Sequence, residues 1–178
     1  MTHADSAPGI DFEALTLKDA LDLAVLIEEE ARDRYEELAA QLLLHHNRDA
    51  ARFFTRMVRV EELHRAALVE KREKLFGRQK PAVGRELLFE VEAPEYDAVR
   101  ADMTERQALS TALQSERKAY RFFSSALEHV QHRDVKTLFT ELCAEELEHI
   151  RLVQGELARL PEPGPLEATD VSDDPAPQ

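Results

Sequence analysis

With 178 residues, 43% of them hydrophobic and only five of them glycine, the chain has the size and composition of a single all-helical domain with its own core. Its formal net charge of −13 argues against a nucleic-acid partner or an anionic membrane surface, and neither a leader nor a long apolar run supports secretion or membrane spanning. The single cysteine, Cys143, excludes an intramolecular disulfide and a four-cysteine metal site, and it favours a cytoplasmic location.

The first predicted helix follows a short arm. Residues 1–15 lack a helical period, and we expect them to form a flexible N-terminal arm. Thr16 is typical of a helix N-cap, with Asp19 near the reciprocal capping position. Apolar or small residues then recur every three or four positions, which predicts a helix over about 16–46 with one buried stripe.

A second helix is predicted after a polar turn at 45–49. It continues to Gly77, a residue type that commonly ends helices, and its apolar stripe includes Ala51, Phe54, Met57, Val58, Leu68 and Leu75. The helical period is then lost from 78 to 103, where two prolines and a glycine interrupt the chain. We interpret this segment as a long crossover with a short helical turn near 96–100.

Two further helices are predicted in the second half of the chain. Thr104 and Gln107 have the spacing of a capping box, which indicates the start of a third helix. A turn at 131–134 precedes a fourth helix, and the acidic, proline-rich segment 161–178 is predicted to be disordered. Four long helices with two short turns and one long connection predict a four-helix bundle over 16–160, with a long crossover between its second and third helices.

Four glutamates lie on the predicted buried stripes, although an unpaired buried carboxylate costs several kcal/mol or is neutralised. Two of them are followed three residues later by a histidine, a spacing that occurs about once by chance in such a chain. The complete set is Glu28, Glu61 with His64, Glu116, and Glu146 with His149. Other glutamates are assigned to the exposed faces of the helices: Glu29, Glu30, Glu36, Glu37, Glu62, Glu145 and Glu148.

The two halves of the chain repeat this arrangement. The pattern around Glu28 recurs around Glu116 at an offset of 88 residues, and the Glu-x-x-His motif of Glu61 recurs at Glu146 at an offset of 85. Measured from the two short turns at 1.5 Å per residue, the heights of these side chains agree to within roughly 8 Å. We therefore expect them to converge in the middle of the bundle.

Such a set suits two metal ions. Its four carboxylates and two neutral imidazoles are balanced in charge by two divalent cations. Glu61 and Glu146 are the predicted bridging ligands, Glu28 and Glu116 the terminal carboxylates, with one histidine for each metal. Oxygen-rich ligation with imidazole favours iron, or alternatively manganese, over tetrahedral zinc. Ferritin-like dimetal proteins use this same ligand pattern.

On these residues the chain resembles the rubrerythrin branch of the ferritin-like superfamily. The segment Glu28–Tyr35 is similar to that family's first-helix signature, and the similarity covers about 16–160. The resemblance implies a site for two iron ions on the six residues, with Tyr35 as hydrogen-bond donor to a ligand carboxylate, and a homodimer. The chain departs from peroxide-reducing members at Ala119, where they have a further glutamate, and we expect no four-cysteine rubredoxin domain.

The leading functional hypothesis is a non-haem di-iron oxidoreductase that reduces O2 or H2O2 while Fe(II) is oxidised, with a role in oxidative stress. Its electron donor is not identified by the sequence. The alternatives are a non-catalytic iron-binding or sequestering protein, a di-iron hydroxylase, and a metal-free helical interaction module.

Overall fold

Four helices account for most of the part of the chain that the computed structural model describes, residues 10–81, 84 and 103–161. They are α1 (Leu17–Leu44), α2 (Arg48–Phe76), α3 (Glu105–His129) and α4 (Arg133–Arg159). Helix α1 packs mainly against α2 and α3 mainly against α4, and further contacts join α1 to α4 and α2 to α3. The prediction of an all-α four-helix bundle is confirmed. Within the described ranges, no helix is long and apolar enough to cross a membrane.

The predicted capping residues occupy the helix ends. The Thr16 hydroxyl accepts a hydrogen bond from the backbone N–H of Asp19 at 3.2 Å. Thr104 and Gln107 form the full capping box, because each side chain accepts a hydrogen bond from the backbone N–H of the other. Gly77 caps α2 with φ of 60°, a conformation in which a Cβ would be strained.

The hydrophobic core consists of two clusters separated along the bundle axis. On α1, residues 20–27 belong to one cluster and residues 31–42 to the other. On α3, Phe123 and Ala126 belong to the first cluster, and residues 108–112 to the second. Each of the four stripe glutamates lies at the boundary between these clusters. The bundle therefore has a polar layer between two apolar ones.

A buried ion-pair cluster, absent from the sequence predictions, attaches the end of α2 to α1. The Arg72 guanidinium donates to Asp22 Oδ1 at 2.7 Å, and to the carbonyl oxygens of Gly77 at 2.8 Å and Gln79 at 2.5 Å. Lys18 Nζ contacts the other Asp22 oxygen at 2.8 Å. Arg72 thus holds the first residues after α2 against the bundle.

Two details differ from the sequence predictions, and a third group of predictions concerns residues outside the described ranges. Phe12 and Leu15 are buried against the bundle, so the end of the predicted arm is packed. Leu75, placed on the buried stripe of α2, is exposed. The predicted helical turn near 96–100, most of the crossover and the tail beyond residue 161 lie outside the described residues.

Candidate metal centre

All six predicted metal ligands meet at the polar layer. Helices α1 and α3 each contribute one glutamate, and α2 and α4 each contribute a glutamate and a histidine one turn later. Five of the six residues are at most 4% exposed, namely Glu28, Glu61, Glu116, Glu146 and His149. The sixth, His64, is half-buried. The helical periodicity that buries the apolar stripes thus also buries these acids.

One group of three side chains lies deep in this layer. Glu61, Glu116 and His149 each offer a ligand atom, and these atoms lie within 4.8 Å of one another. His149 Nδ1 lies 3.0 Å from Glu116 Oε2, 3.9 Å from Glu61 Oε1 and 3.8 Å from Glu146 Oε2. One imidazole therefore faces three carboxylates from three different helices.

Tyr35 fixes the orientation of Glu116. Its hydroxyl donates a hydrogen bond to Glu116 Oε1 at 2.6 Å, and its ring stacks on Phe54 with centroids 5.6 Å apart. The other oxygen of Glu116 faces His149 Nδ1. Both oxygens of this buried carboxylate are thereby held in place. The donor is the one that the family resemblance implied.

A second group of three lies nearer the surface and includes a residue that the sequence predictions missed. Glu28, His64 and Glu145 also offer ligand atoms within 4.8 Å of one another. His64 Nδ1 is 3.3 Å from Glu145 Oε2, and the His64 and His149 rings have centroids 4.8 Å apart. The assignment of Glu145 to the exposed face is thus only partly correct, because its side chain is 43% exposed but reaches a predicted ligand.

The remaining glutamates assigned to the outer faces are at least partly exposed. Glu36, Glu37 and Glu148 are exposed, and Glu29, Glu30 and Glu62 are partly exposed. Glu62 bonds to Arg65 and Arg32, at 2.8 and 2.9 Å, and these guanidinium groups lower the pKa of Glu62 to about 2. These glutamates therefore lie on the outer faces of the helices, as predicted.

Burial controls the protonation of the metal-free site. It raises the pKa of Glu28 to about 7, against the lowering effects of a hydrogen bond with Glu61 and of the charges on the two histidines. The Glu145 carboxylate raises the pKa of His64, although burial acts in the opposite direction. Glu28 and His64 therefore both favour their protonated forms when no cation neutralises the carboxylates.

The donor set fits a metal centre. Three buried atoms of the predicted ligands, Glu28 Oε2, His64 Nδ1 and His149 Nε2, have no hydrogen-bond partner among the described residues. Burying such groups without partners is costly, and a cation would offset this cost. Several carboxylates with imidazole are the ligands expected for iron or manganese.

An open pocket of about 650 Å³ leads to this layer from the α2 and α4 side. His64, His149 and Glu145 line the pocket, together with Val60 and Leu152. Its lining also includes arginine and glutamate side chains, among them the ion pair of Arg159 with Glu156 at 3.2 Å. Small molecules in solvent can thus approach the half-buried side of the centre.

Comparison with known proteins agrees with this geometry. The sequence pattern of the rubrerythrin family matches residues 19–157. The crystal structure of an uncharacterized conserved protein from Magnetospirillum magnetotacticum MS-1 is similar, with 28% sequence identity and a TM-score of 0.66 over 84% of this chain and 99% of that one. No curated protein matches the chain. The family match spans all four helices and every residue of the candidate metal centre, and the chain accordingly belongs to the rubrerythrin family, with a ferritin-like bundle.

Proposed function

We propose that this protein binds two iron ions in the polar layer and uses them to reduce O2 or H2O2. The observation that carries the proposal is the convergence of four buried glutamates and two histidines from four helices on one level of the core. A protein that needed these helices only for packing would gain stability from apolar residues at the same positions. Iron is the preferred metal, with manganese as the alternative.

The side chains have distinct roles in the proposed site. Glu61 and Glu146 would bridge the ions, since both lie within 3.9 Å of His149 Nδ1 and come from opposite hairpins. Glu28 and Glu116 would be terminal ligands, one for each ion, and each ion would take one histidine. Tyr35 keeps Glu116 in a single orientation through its 2.6 Å hydrogen bond.

When bound, two ferrous ions would supply the two electrons that, together with two protons, convert either H2O2 into two waters or O2 into H2O2. The protein controls which molecules reach the proposed ions. The pocket beside His64 and His149 admits a small oxidant, whereas the fully buried Glu61, Glu116 and Glu146 keep solvent from the inner side. This arrangement favours a small inorganic oxidant as the substrate.

Turnover distinguishes catalysis from storage. The iron-loaded protein is mixed with a reductant and with H2O2 or O2, and consumption of the oxidant is followed through many equivalents per chain. We expect repeated turnover, its loss in Glu61→Gln, and its retention in the exposed control Glu36→Gln. A single stoichiometric oxidation would overturn the catalytic part of the proposal in favour of iron sequestration. The absence of any oxidation would contradict both functions.

A further inference from the structure

We infer that Glu145 is a further metal ligand, which completes with Glu28 and His64 the metal position that faces the pocket. This inference rests on the proposed function, because it assigns another residue to the same centre. Neither the Glu-x-x-His motifs nor the internal repeat predicts this role, since Glu145 corresponds in the repeat to Val60.

The distance between Glu145 and His64 suits two ligands of one ion. A first-row metal lies about 2.1 Å from nitrogen or oxygen ligands, so adjacent ligand atoms on the same ion are roughly 3.0–3.4 Å apart. Glu145 Oε2 and His64 Nδ1 are 3.3 Å apart. Glu28 adds a third ligand atom to this group.

Glu28 supplies the independent evidence that this group faces a ligand. Its side chain is 1% exposed, and Glu28 Oε2 has no hydrogen-bond partner among the described residues. A buried carboxylate oxygen of this kind, beside an imidazole and a second carboxylate, is a cation-binding arrangement. Glu145 therefore joins a group that already contains a buried, unsatisfied oxygen.

The other two glutamates that line the pocket are paired with arginines. Glu148 forms an ion pair with Arg151, and Glu156 forms ion pairs with Arg56 and Arg159. Within the described part of the chain, the ion-pair contact of Glu145 is with His64 instead of an arginine or lysine. Its charge is thus directed towards the metal centre, whereas those of its neighbours are compensated at the surface.

The two metal positions are consequently unequal. The Glu61, Glu116 and His149 group is fully buried, whereas the group with Glu145 combines one buried and two partly exposed side chains. An ion in the second group can exchange with solvent through the pocket. Glu145, with its side chain 43% exposed, is the ligand that an entering ion meets before it reaches Glu28.

Anaerobic titration of the full chain with Co²⁺, followed by visible absorption and calorimetry, tests the inference. We expect two ions in the wild type, and a loss of affinity of at least about tenfold for one of them in Glu145→Gln. Glu148→Gln is the matched control, because Glu148 lines the same pocket on the same helix, and it should bind both ions as the wild type does.

The glutamine variant separates ligation from a purely orienting role. Glutamine keeps the size of the side chain and one uncharged oxygen but has lost the anionic carboxylate, so wild-type affinity for both ions in Glu145→Gln would overturn the inference. A crystal structure of the Co²⁺-loaded wild type gives a check that needs no variant: we expect a Glu145 oxygen bonded to the ion, and an unbonded Glu145 would contradict the inference. If the wild type bound no Co²⁺ and no iron, the proposed function itself would fail.

Discussion

Tyr35 provides the most direct link between packing and the candidate site. Its ring belongs to one of the two core clusters, and its hydroxyl bonds to Glu116 across the bundle. The family resemblance implied that Tyr35 donates to a ligand carboxylate, and the sequence alone did not identify which one. That choice depends on how α1 and α3 are placed across the bundle from each other, and the period of a single helix does not specify this placement.

Removing this hydroxyl should destabilise the metal-free protein. Tyr35→Phe keeps the ring but leaves a buried carboxylate with one hydrogen bond fewer, so we expect its free energy of unfolding to fall by about 1.5–3 kcal/mol. Urea unfolding in the presence of a chelator measures the change. Tyr120→Phe is the control, because Tyr120 is half-buried and has no hydrogen bond among the described residues. Equal losses in the two variants would contradict the role of the Tyr35 hydroxyl.

The raised pKa of Glu28 predicts a pH dependence for the metal-free protein. Below pH about 4.5 the carboxyl is protonated in both folded and unfolded chains. Between this value and about 7 the unfolded chain releases the proton while the folded chain retains it, so stability falls as pH rises. The shift corresponds to about 3 kcal/mol, and above pH 7 the loss levels off.

Comparing Glu28→Gln with the wild type isolates this effect. The variant should match the wild type near pH 4.5 and exceed its unfolding free energy by up to about 3 kcal/mol near pH 7.5, as measured by urea unfolding without metal. Glu36→Gln, on the exposed face of the same helix, should follow the wild type across this range. A difference between Glu28→Gln and the wild type that did not change with pH would show that Glu28 titrates normally.

At the level of the helices, the sequence predicts where elements begin and end better than how they contact one another. Thr16, Thr104 and Gly77 are local signals, and each caps the helix end expected of it. The Asp22–Arg72 pair was missed because charged residues on a helix usually face solvent. Its two members are 50 residues apart, so only the packing of α1 against α2 brings them together.

Breaking this pair should destabilise the bundle. Arg72→Ala removes one charged partner of the buried Asp22, which keeps its contact with Lys18, and also removes the bonds to two carbonyl groups. Losing one partner of a buried ion pair lowers the free energy of unfolding by about 3–5 kcal/mol. Because Lys18 still partly compensates the charge of Asp22, we expect a loss near the lower end, about 3 kcal/mol. Thermal and urea unfolding measure it.

Lys71→Ala is a control one residue away. Lys71 forms a partly exposed ion pair with Glu141 at 2.7 Å, and exposed pairs contribute at most about 1 kcal/mol. Similar losses in Arg72→Ala and Lys71→Ala would show that the Arg72 cluster does not stabilise the end of α2.

The position of Glu145 in the candidate site could not be predicted from the sequence. It lies one residue before Glu146, which turns its side chain by about 100° around α4 and suggests an outward position. Its approach to His64 depends on the separation of α2 and α4 and on the shape of the pocket. Neither helical periodicity nor the internal repeat specifies these distances. The six inward-facing residues could be predicted because both halves of the chain repeat them.

The architecture of the whole molecule explains why a polar layer is tolerated in its centre. Two helical hairpins, α1–α2 and α3–α4, each carry apolar clusters above and below the level of the carboxylates. These clusters supply the hydrophobic stabilisation that opposes the cost of burying four acids. The bundle can therefore fold around a centre that concentrates four buried carboxylates.

The iron content of the protein tests the central claim most directly. After anaerobic loading with Fe²⁺ and removal of unbound metal, elemental analysis of the wild type should give about two irons per chain. The double variant Glu61→Gln/Glu146→Gln, which removes both proposed bridging carboxylates, should retain almost none, and the exposed control Glu36→Gln/Glu37→Gln should retain two. A wild type without iron, or a bridging variant that still binds two ions, would contradict a two-iron centre in this bundle.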